Sequence, residues 1–151
     1  MTLLRRCLPA IGLLTLLSAS ALAAPFKVGL VFDIGGRGDK SFNDSAFRGL
    51  ERAKKELGVD FEFTEPSEAA DRENALRQFA ASDFDLIIGV GFIFTDDIDR
   101  VAKAFPKKYF ACVDYSVAAG KPVPENVVAL KFREQEASFL GGVVAALTSK
   151  T

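Results

Sequence analysis

Two carboxylates in this sequence each follow an apolar run. Asp33 comes directly after FKVGLVF and Asp114 directly after YFACV, while Gly91 closes a third run, DLIIGVG. Carboxylates in such places can accept hydrogen bonds from a small polar molecule, hold a hard cation or act as an acid/base pair. Gly91 is a further candidate for a ligand contact, although it could simply relieve crowding at the end of a buried strand.

The segment DKSFN adds an aromatic ring and an amide. Phe42 stands between Ser41 and Asn43, before the apolar stripe of a helix begins. An exposed ring offers a flat apolar surface, and Asn43 offers a donor and an acceptor to the edge of a heterocycle. Structural roles are the alternative: Phe42 could be a hydrophobic staple, Asn43 a helix N-cap, and Asp33 and Asp114 turn caps. Ser41 and Asp44 also have the spacing of a capping box.

Apolar runs alternate with helix-like segments from residue 26 onward. Strands are predicted at 26–32, 59–64, 85–91, 109–113 and 126–132, and helices from about 43 to 57, from 66, from 95 to 105 and from 134 to 147. This alternation predicts an α/β fold, a doubly wound, mostly parallel sheet with helices on both faces. Ligands of such sheets bind beyond the carboxyl ends of the strands, where Asp33, Gly91 and Asp114 fall.

The composition excludes several classes of protein. Hydrophobic residues make up 49% of the chain and charged residues 26%, as in ordinary globular proteins. The net charge of -1 indicates no nucleic-acid partner. The chain has no His, which removes Ser/His and Cys/His nucleophile pairs and most mixed Cys/His metal sites. We predict neither a metal nor a cofactor, and we expect Cys112, in the apolar context FACVD, to be a buried thiol.

Two phosphate-binding motifs can be tested on the loop GGRGDKS. A P-loop requires Gly directly before its Lys, and Asp39 stands there instead. The dinucleotide fingerprint fails as well, because Ser41 occupies the place of its third Gly. The loop therefore does not predict nucleotide-phosphate binding.

Residues 1–23 have the pattern of a secretory signal peptide. Arg5 and Arg6 precede an apolar run that ends in the small residues SASALAA. Cleavage after Ala23 fits best, with cleavage after Ala21 as the alternative, so we expect a periplasmic or other extracytoplasmic protein beginning at residue 24. Cys7 lies inside this signal and directly follows two arginines, so we expect no lipid anchor there.

The segment DKSFNDSAFRGLERAKKELG, followed by DLIIGVGF and FACVDY, resembles the basic membrane protein family of ABC-transporter substrate-binding proteins. That family includes purine-nucleoside receptors. The resemblance runs from about Lys27 to Leu147. It implies a type I periplasmic binding protein, in which two doubly wound lobes clamp a ligand, with residues 24–151 forming the first lobe and the second lobe absent.

The resemblance also implies roles for single residues. By position, Asp33 and Asp114 match the family's acids, Phe42 its base-stacking aromatic, Asn43 its base-reading amide and, more weakly, Ser41 a further contact. The implied function is a non-catalytic receptor of an ABC importer that binds a nucleoside or similar small polar heterocycle. Its partner would be a permease in the membrane, and the full-length protein would be monomeric.

Two other functions stay open at this point. A secreted, hydrolase-like α/β enzyme could use Asp33 and Asp114 as an acid/base pair or as cation ligands. A sensor could bind the same ligand and signal through a partner. The residues do not identify the ligand, because part of the discrimination would reside in a second lobe.

Overall fold

The computed structural model describes residues 24–117 and 120–150, and the predicted signal peptide with Cys7 lies outside them. Five parallel strands form one sheet in the order β2-β1-β3-β4-β5. The strands are β1 (Lys27–Val31), β2 (Asp60–Thr64), β3 (Leu86–Val90), β4 (Tyr109–Val113) and β5 (Val127–Leu130). The helices are α1 (Phe42–Leu57), α2 (Ala69–Ala81), α3 (Thr95–Ala104) and α4 (Glu134–Thr148). The predicted α/β sheet is confirmed.

Helices cover the sheet on both faces, and each face has its own core. One core joins Leu76 of α2 and Ile98 of α3 to Ile87 of β3. The other joins Leu50 of α1 to Val90 of β3. Strand β3 is thus buried on both faces, which explains why its sequence is a continuous apolar run rather than an alternating one.

The strand order reverses at β1, since the chain passes from β1 to β2 on one side and then to β3 on the other. In the register, Val31 pairs with Gly89, and Val90 pairs with Val113. The carboxyl ends of β1, β3 and β4 therefore lie side by side. An open parallel sheet forms its ligand crevice at such a reversal.

Some predicted details need correction. The helix expected from residue 66 begins at Ala69. Leu57, expected on the buried face of α1, is 76% exposed because it is the last residue of the helix, where Gly58 turns the chain at a φ of 70°. A 3-10 turn, Phe92–Phe94, precedes α3.

Helix α4 forms where the sequence predicts it, yet none of its residues is buried. Phe139 and Leu147 are among its exposed apolar side chains, and Val128 and Phe132 are exposed on and just after β5. The described helices include none whose length and apolar character would suffice to cross a bilayer.

Candidate functional site

Asp33 stands just beyond β1 and begins a tight turn. Its carboxylate Oδ1 accepts the backbone N–H of Ile34 at 2.6 Å, and the N–H of Gly36 donates to its carbonyl at 3.0 Å. The second oxygen, Oδ2, lies 2.9 Å from the point that a Cβ on Gly91 would occupy. The Asp33 carboxylate is therefore half-buried and packs directly against the end of β3.

Asn43 is buried, with 4% of its surface exposed, and its amide holds the turn after β1. Its Oδ1 accepts the N–H of Asp33 at 3.3 Å, and its Nδ2 donates to the carbonyl of Gly36 at 2.9 Å. An amide retains one further hydrogen and one further lone pair after two such bonds. The amide thus has a structural role here, and a contact with a ligand stays a prediction.

The start of α1 is capped by Asp39. Its carboxylate accepts the backbone N–H groups of Ser41 at 2.9 Å, Asn43 at 2.8 Å and Asp44 at 3.1 Å. The bonds from Ser41 and Asn43 are the main reason why the pKa of Asp39 lies below its usual range. Three of the donors that a helix start leaves without partners are satisfied in this way.

This arrangement corrects the predicted cap. Ser41 occupies the N-cap position without a side-chain capping bond, and Asn43 lies inside the helix. Asp44 accepts the N–H groups of Gly38 and Lys40, each at 2.9 Å, instead of reaching back to Ser41. The expected capping box is wrong because Asp39 has already taken the donors that it would use.

Phe42 is the first residue of α1, and 36% of it is exposed. It belongs to neither of the two core clusters, and no other described ring stacks on it. A hydrophobic staple precedes the N-cap, whereas Phe42 follows it, so the staple interpretation does not hold. The ring is therefore partly exposed at the start of α1, and its contact with a ligand stays a prediction.

Gly91 joins the ends of β3 and β4. It is buried with a φ of 114°, and its N–H donates to the carbonyl of Val113 at 2.9 Å. Asp114 follows Val113 directly, while Asp33 touches Gly91 from the β1 side. The two predicted acids therefore flank one glycine at a single edge of the sheet.

Asp114 is half-buried and has a left-handed backbone, with a φ of 62°. Lys131 Nζ lies 3.8 Å from its Oδ1, an exposed and weak ion pair. Beneath this edge Cys112 is fully buried, as predicted, and burial raises the pKa of its thiol to about 12. Its Sγ lies 3.5 Å from the Gly91 carbonyl oxygen.

Sequence reasoning missed Arg37, which anchors the loop between β1 and α1. The guanidinium carbon lies 4.3 Å from the centre of the Phe47 ring and 5.0 Å from that of Phe63. Arg37 Nε lies 3.9 Å from Oε1 of Glu65. Cation–π contacts of this kind tie the loop to α1 and β2. The partners are distant in sequence, so no local pattern could have indicated them.

A cavity of about 360 Å³ opens where the chain continues from Gly91. Its lining residues are Phe92, Ile93, Thr95, Asp96, Ser116 and Lys121. No cluster of three or more possible metal ligands occurs in residues 24–117 and 120–150. The edge thus combines acids, exposed rings and a mixed polar cavity, which suits a small polar molecule.

A parallel α/β sheet with polar residues beyond the carboxyl ends of its strands is the arrangement in which open α/β sheets bind their ligands. Residues 26–151 match the family model for PnrA-like ABC transporter substrate-binding proteins. The chain belongs to this family of ABC transporter substrate-binding proteins.

Individual relatives agree with that assignment. The chain is 48% identical over 125 residues to a lipoprotein of Pyrococcus abyssi, covering 82% of this chain and 30% of the relative. It is 35% identical over 125 residues to basic membrane protein A of Borreliella burgdorferi, covering 83% and 36%. An ABC transporter solute-binding protein from Aeropyrum pernix K1 superposes with a TM-score of 0.73 at 42% identity, covering 81% and 32%. The chain therefore spans about a third of the length of these relatives.

Proposed function

We propose that this protein is the extracytoplasmic receptor of an ABC importer, and that it binds a nucleoside or a similar small polar heterocycle without chemical conversion. The sheet described above forms one side of the binding site, and a second lobe closes on the ligand from the other side. A permease in the membrane then receives the ligand. Family membership supports the general class, and the residues at the sheet edge support the choice of ligand.

One observation carries the choice of ligand: the Phe42 ring is partly exposed at the start of α1, the helix that follows β1, and Asp33 and Asp114 follow β1 and β4. Stacking of a base on an aromatic ring contributes about 1 to 3 kcal/mol. A hydrogen bond from a sugar hydroxyl to the carboxylate of Asp33 or Asp114 contributes roughly 1.5 to 3 kcal/mol. These contacts suit an uncharged molecule with one flat apolar face and several hydroxyl donors, which describes a nucleoside.

Location follows from the family and from the N-terminal pattern. Solute-binding proteins of ABC importers act outside the cytoplasmic membrane, and the predicted signal peptide at residues 1–23 agrees with this. The relative from Pyrococcus abyssi is named a lipoprotein, whereas the sequence context of Cys7 predicts no acylation of this chain. We propose a periplasmic or otherwise extracytoplasmic receptor.

Calorimetric titration of the full-length protein with adenosine, inosine, guanosine and uridine tests this function. We expect at least one of them to bind at micromolar concentration or below. Phe42→Ala and Asp33→Ala should each weaken that binding tenfold or more, about 1.4 kcal/mol or more, because each removes one of the contacts described above.

Matched controls lie at the opposite edge of the sheet. Phe26→Ala removes a ring that is also exposed, and Asp83→Ala removes an exposed carboxylate paired with Lys27. Both should leave the affinity within twofold of the wild-type value. Absence of binding by all four nucleosides would overturn the proposed ligand class, and wild-type affinity in both Phe42→Ala and Asp33→Ala would overturn the site.

A further inference from the structure

Asp114 has a left-handed backbone conformation, which few non-glycine residues adopt, although Asp does so more readily than most. Lys40 and Asp114 are the described non-glycine residues with a positive φ, at 54° and 62°, and each is at or next to a predicted ligand contact. A left-handed conformation costs an ordinary L-residue about 1 to 2 kcal/mol and Asp less than that, so neighbouring contacts contribute to holding it. The surroundings of Asp114 therefore indicate what positions its carboxylate.

A polar cluster centred on Asp99 of α3 holds the residues that follow Asp114. Asp99 is a buried carboxylate, with 3% of its surface exposed. The hydroxyl of Tyr115 donates to its Oδ1 at 2.7 Å, and Lys121 Nζ lies 2.8 Å from its Oδ2. We call Asp99, Tyr115 and Lys121 the α3 latch. Lys121 also donates to Asp96 Oδ1 at 3.0 Å, so its ammonium contacts two acids, Asp96 and Asp99, on successive turns of α3.

Two backbone bonds fix the same segment from other directions. The N–H of Tyr115 donates to the carbonyl of Leu130 at 3.0 Å, at the end of β5. The N–H of Ser116 donates to Thr95 Oγ1 at 2.9 Å, and that hydroxyl in turn donates to the Phe92 carbonyl at 2.7 Å. Tyr115 is thus held by its backbone N–H and by its hydroxyl. These bonds restrict the backbone conformation of the preceding residue, Asp114.

The latch is centred on one buried carboxylate, which makes it sensitive to the loss of a partner: Asp99 Oδ1 accepts the Tyr115 hydroxyl, while Oδ2 has only the ion pair with the partly exposed Lys121 and accepts no hydrogen bond. A buried carboxylate requires its partners, and removing one leaves a charge that is poorly compensated. Burial, together with the neighbouring Asp99, raises the pKa of Tyr115 to about 12, so its hydroxyl remains a donor at neutral pH. Tyr115 is therefore the donor in its bond with Asp99.

We propose that Asp99, Tyr115 and Lys121 are positioning residues, which hold Asp114 in its left-handed conformation and so present its carboxylate to the ligand. The part of this inference that concerns ligand affinity rests on the proposed function. The part that concerns the conformation of Asp114 does not. Each part has its own measurement.

The conformational part is tested in the full-length protein by hydrogen exchange of the backbone amides of residues 114–116. Tyr115→Phe removes only the hydroxyl, and Lys121→Met removes only the ammonium. We expect exchange at these amides to be at least tenfold faster in both variants. Tyr109→Phe and Lys107→Met are the matched controls, because both side chains are exposed and neither contacts the latch. Unchanged exchange in both latch variants would overturn the latch.

The ligand part is tested by a double-mutant cycle in calorimetry with the tightest of the four nucleosides. Asp114→Asn should weaken binding about tenfold in the wild type but less than twofold in the Lys121→Met background, because there the carboxylate is no longer held in place. Lys121→Arg keeps a cation and should restore most of the loss. A purely structural latch would give the same effect of Asp114→Asn in both backgrounds, and that result would overturn the positioning role.

The two proposals fail in distinguishable ways. If the wild-type protein binds none of the four nucleosides, the proposed function fails and the positioning role for a nucleoside fails with it, while hydrogen exchange still decides whether the latch holds Asp114. If nucleosides bind but the cycle shows no coupling, the proposed function stands and the latch is not a positioning device. Tyr115→Phe, the milder change, serves in the cycle if Lys121→Met does not fold.

Discussion

The two loops that carry the predicted acids are held in different ways. The first loop, residues 32–41 between β1 and α1, carries Asp33: Asp39 caps α1 and Asn43 closes the turn, both close in sequence, and Arg37 ties the loop to α1 and β2. The second loop, from Asp114 to the start of β5, is fixed by α3, through bonds from Tyr115 to a carboxylate 16 residues away. Two acids at equivalent strand ends thus depend on different parts of the chain.

This difference has a practical consequence. A change in the first loop should disturb Asp33 and Phe42 and leave Asp114 in place. A change in α3 should disturb Asp114 and leave Asp33 and Phe42 in place. Gly91 lies between the two loops, since it packs against Asp33 and its N–H donates to the carbonyl of Val113. Substitutions within one loop should therefore affect that loop alone, whereas a substitution at Gly91 should disturb both loops.

The largest effect is expected from Gly91→Ala, which should disable both loops. The φ of 114° is a region that residues with a Cβ rarely adopt, and the new Cβ would lie 2.9 Å from Asp33 Oδ2. We expect the free energy of unfolding to fall by about 3 kcal/mol or more. Urea denaturation measures this directly.

Gly38→Ala is the control for that substitution. Gly38 also has a positive φ, 98°, but an added Cβ would meet nothing within 4 Å. It should therefore show only the backbone strain, about 1 kcal/mol. Equal destabilisation by the two substitutions would show that the contact between Gly91 and Asp33 is unimportant.

A smaller effect, confined to the first loop, is expected from Asp39→Ala. It removes the acceptor for three backbone N–H groups at the start of α1, so the melting temperature should fall by several degrees. The pKa of Asp39 is lowered in the folded state, so its contribution is complete above the unfolded value of about 4 and is lost as the pH falls through the folded value. The difference in melting temperature from the wild type should therefore shrink below about pH 4.

Asp71→Ala provides the comparison. Asp71 also lies in the first turn of a helix, α2, but its carboxylate accepts a single side-chain bond from Ser67 at 3.3 Å. It should lower the melting temperature much less, and hydrogen exchange at residues 114–116 should be normal in both variants. Faster exchange there in Asp39→Ala would contradict the separation of the two loops.

The contrast between local and distant contacts also explains how much of the fold and of the site the sequence could predict. The five strands and four helices were predictable, because burial on one face or on both leaves a local pattern that the chain shows clearly, as in LIIGV. The carboxyl-edge positions of Asp33, Gly91 and Asp114 followed from that order together with the parallel sheet.

What could not be predicted depends on contacts or on competition between neighbours. Asp39, Ser41, Asn43 and Asp44 are all capable of capping, and only the backbone geometry decides that Asp39 takes the donors. The buried state of Asp99 was not predictable either. Its partners, Tyr115 and Lys121, lie in the segment between β4 and β5, and a charged residue in an amphipathic helix is usually exposed.

The crystal structure of the full-length protein with the tightest-binding nucleoside tests the central claim most directly. The account predicts that the base stacks on the Phe42 ring and that the carboxylates of Asp33 and Asp114 accept hydrogen bonds from the ligand. A nucleoside bound away from the carboxyl ends of β1, β3 and β4, with the Phe42 ring not in contact with it, would contradict the account.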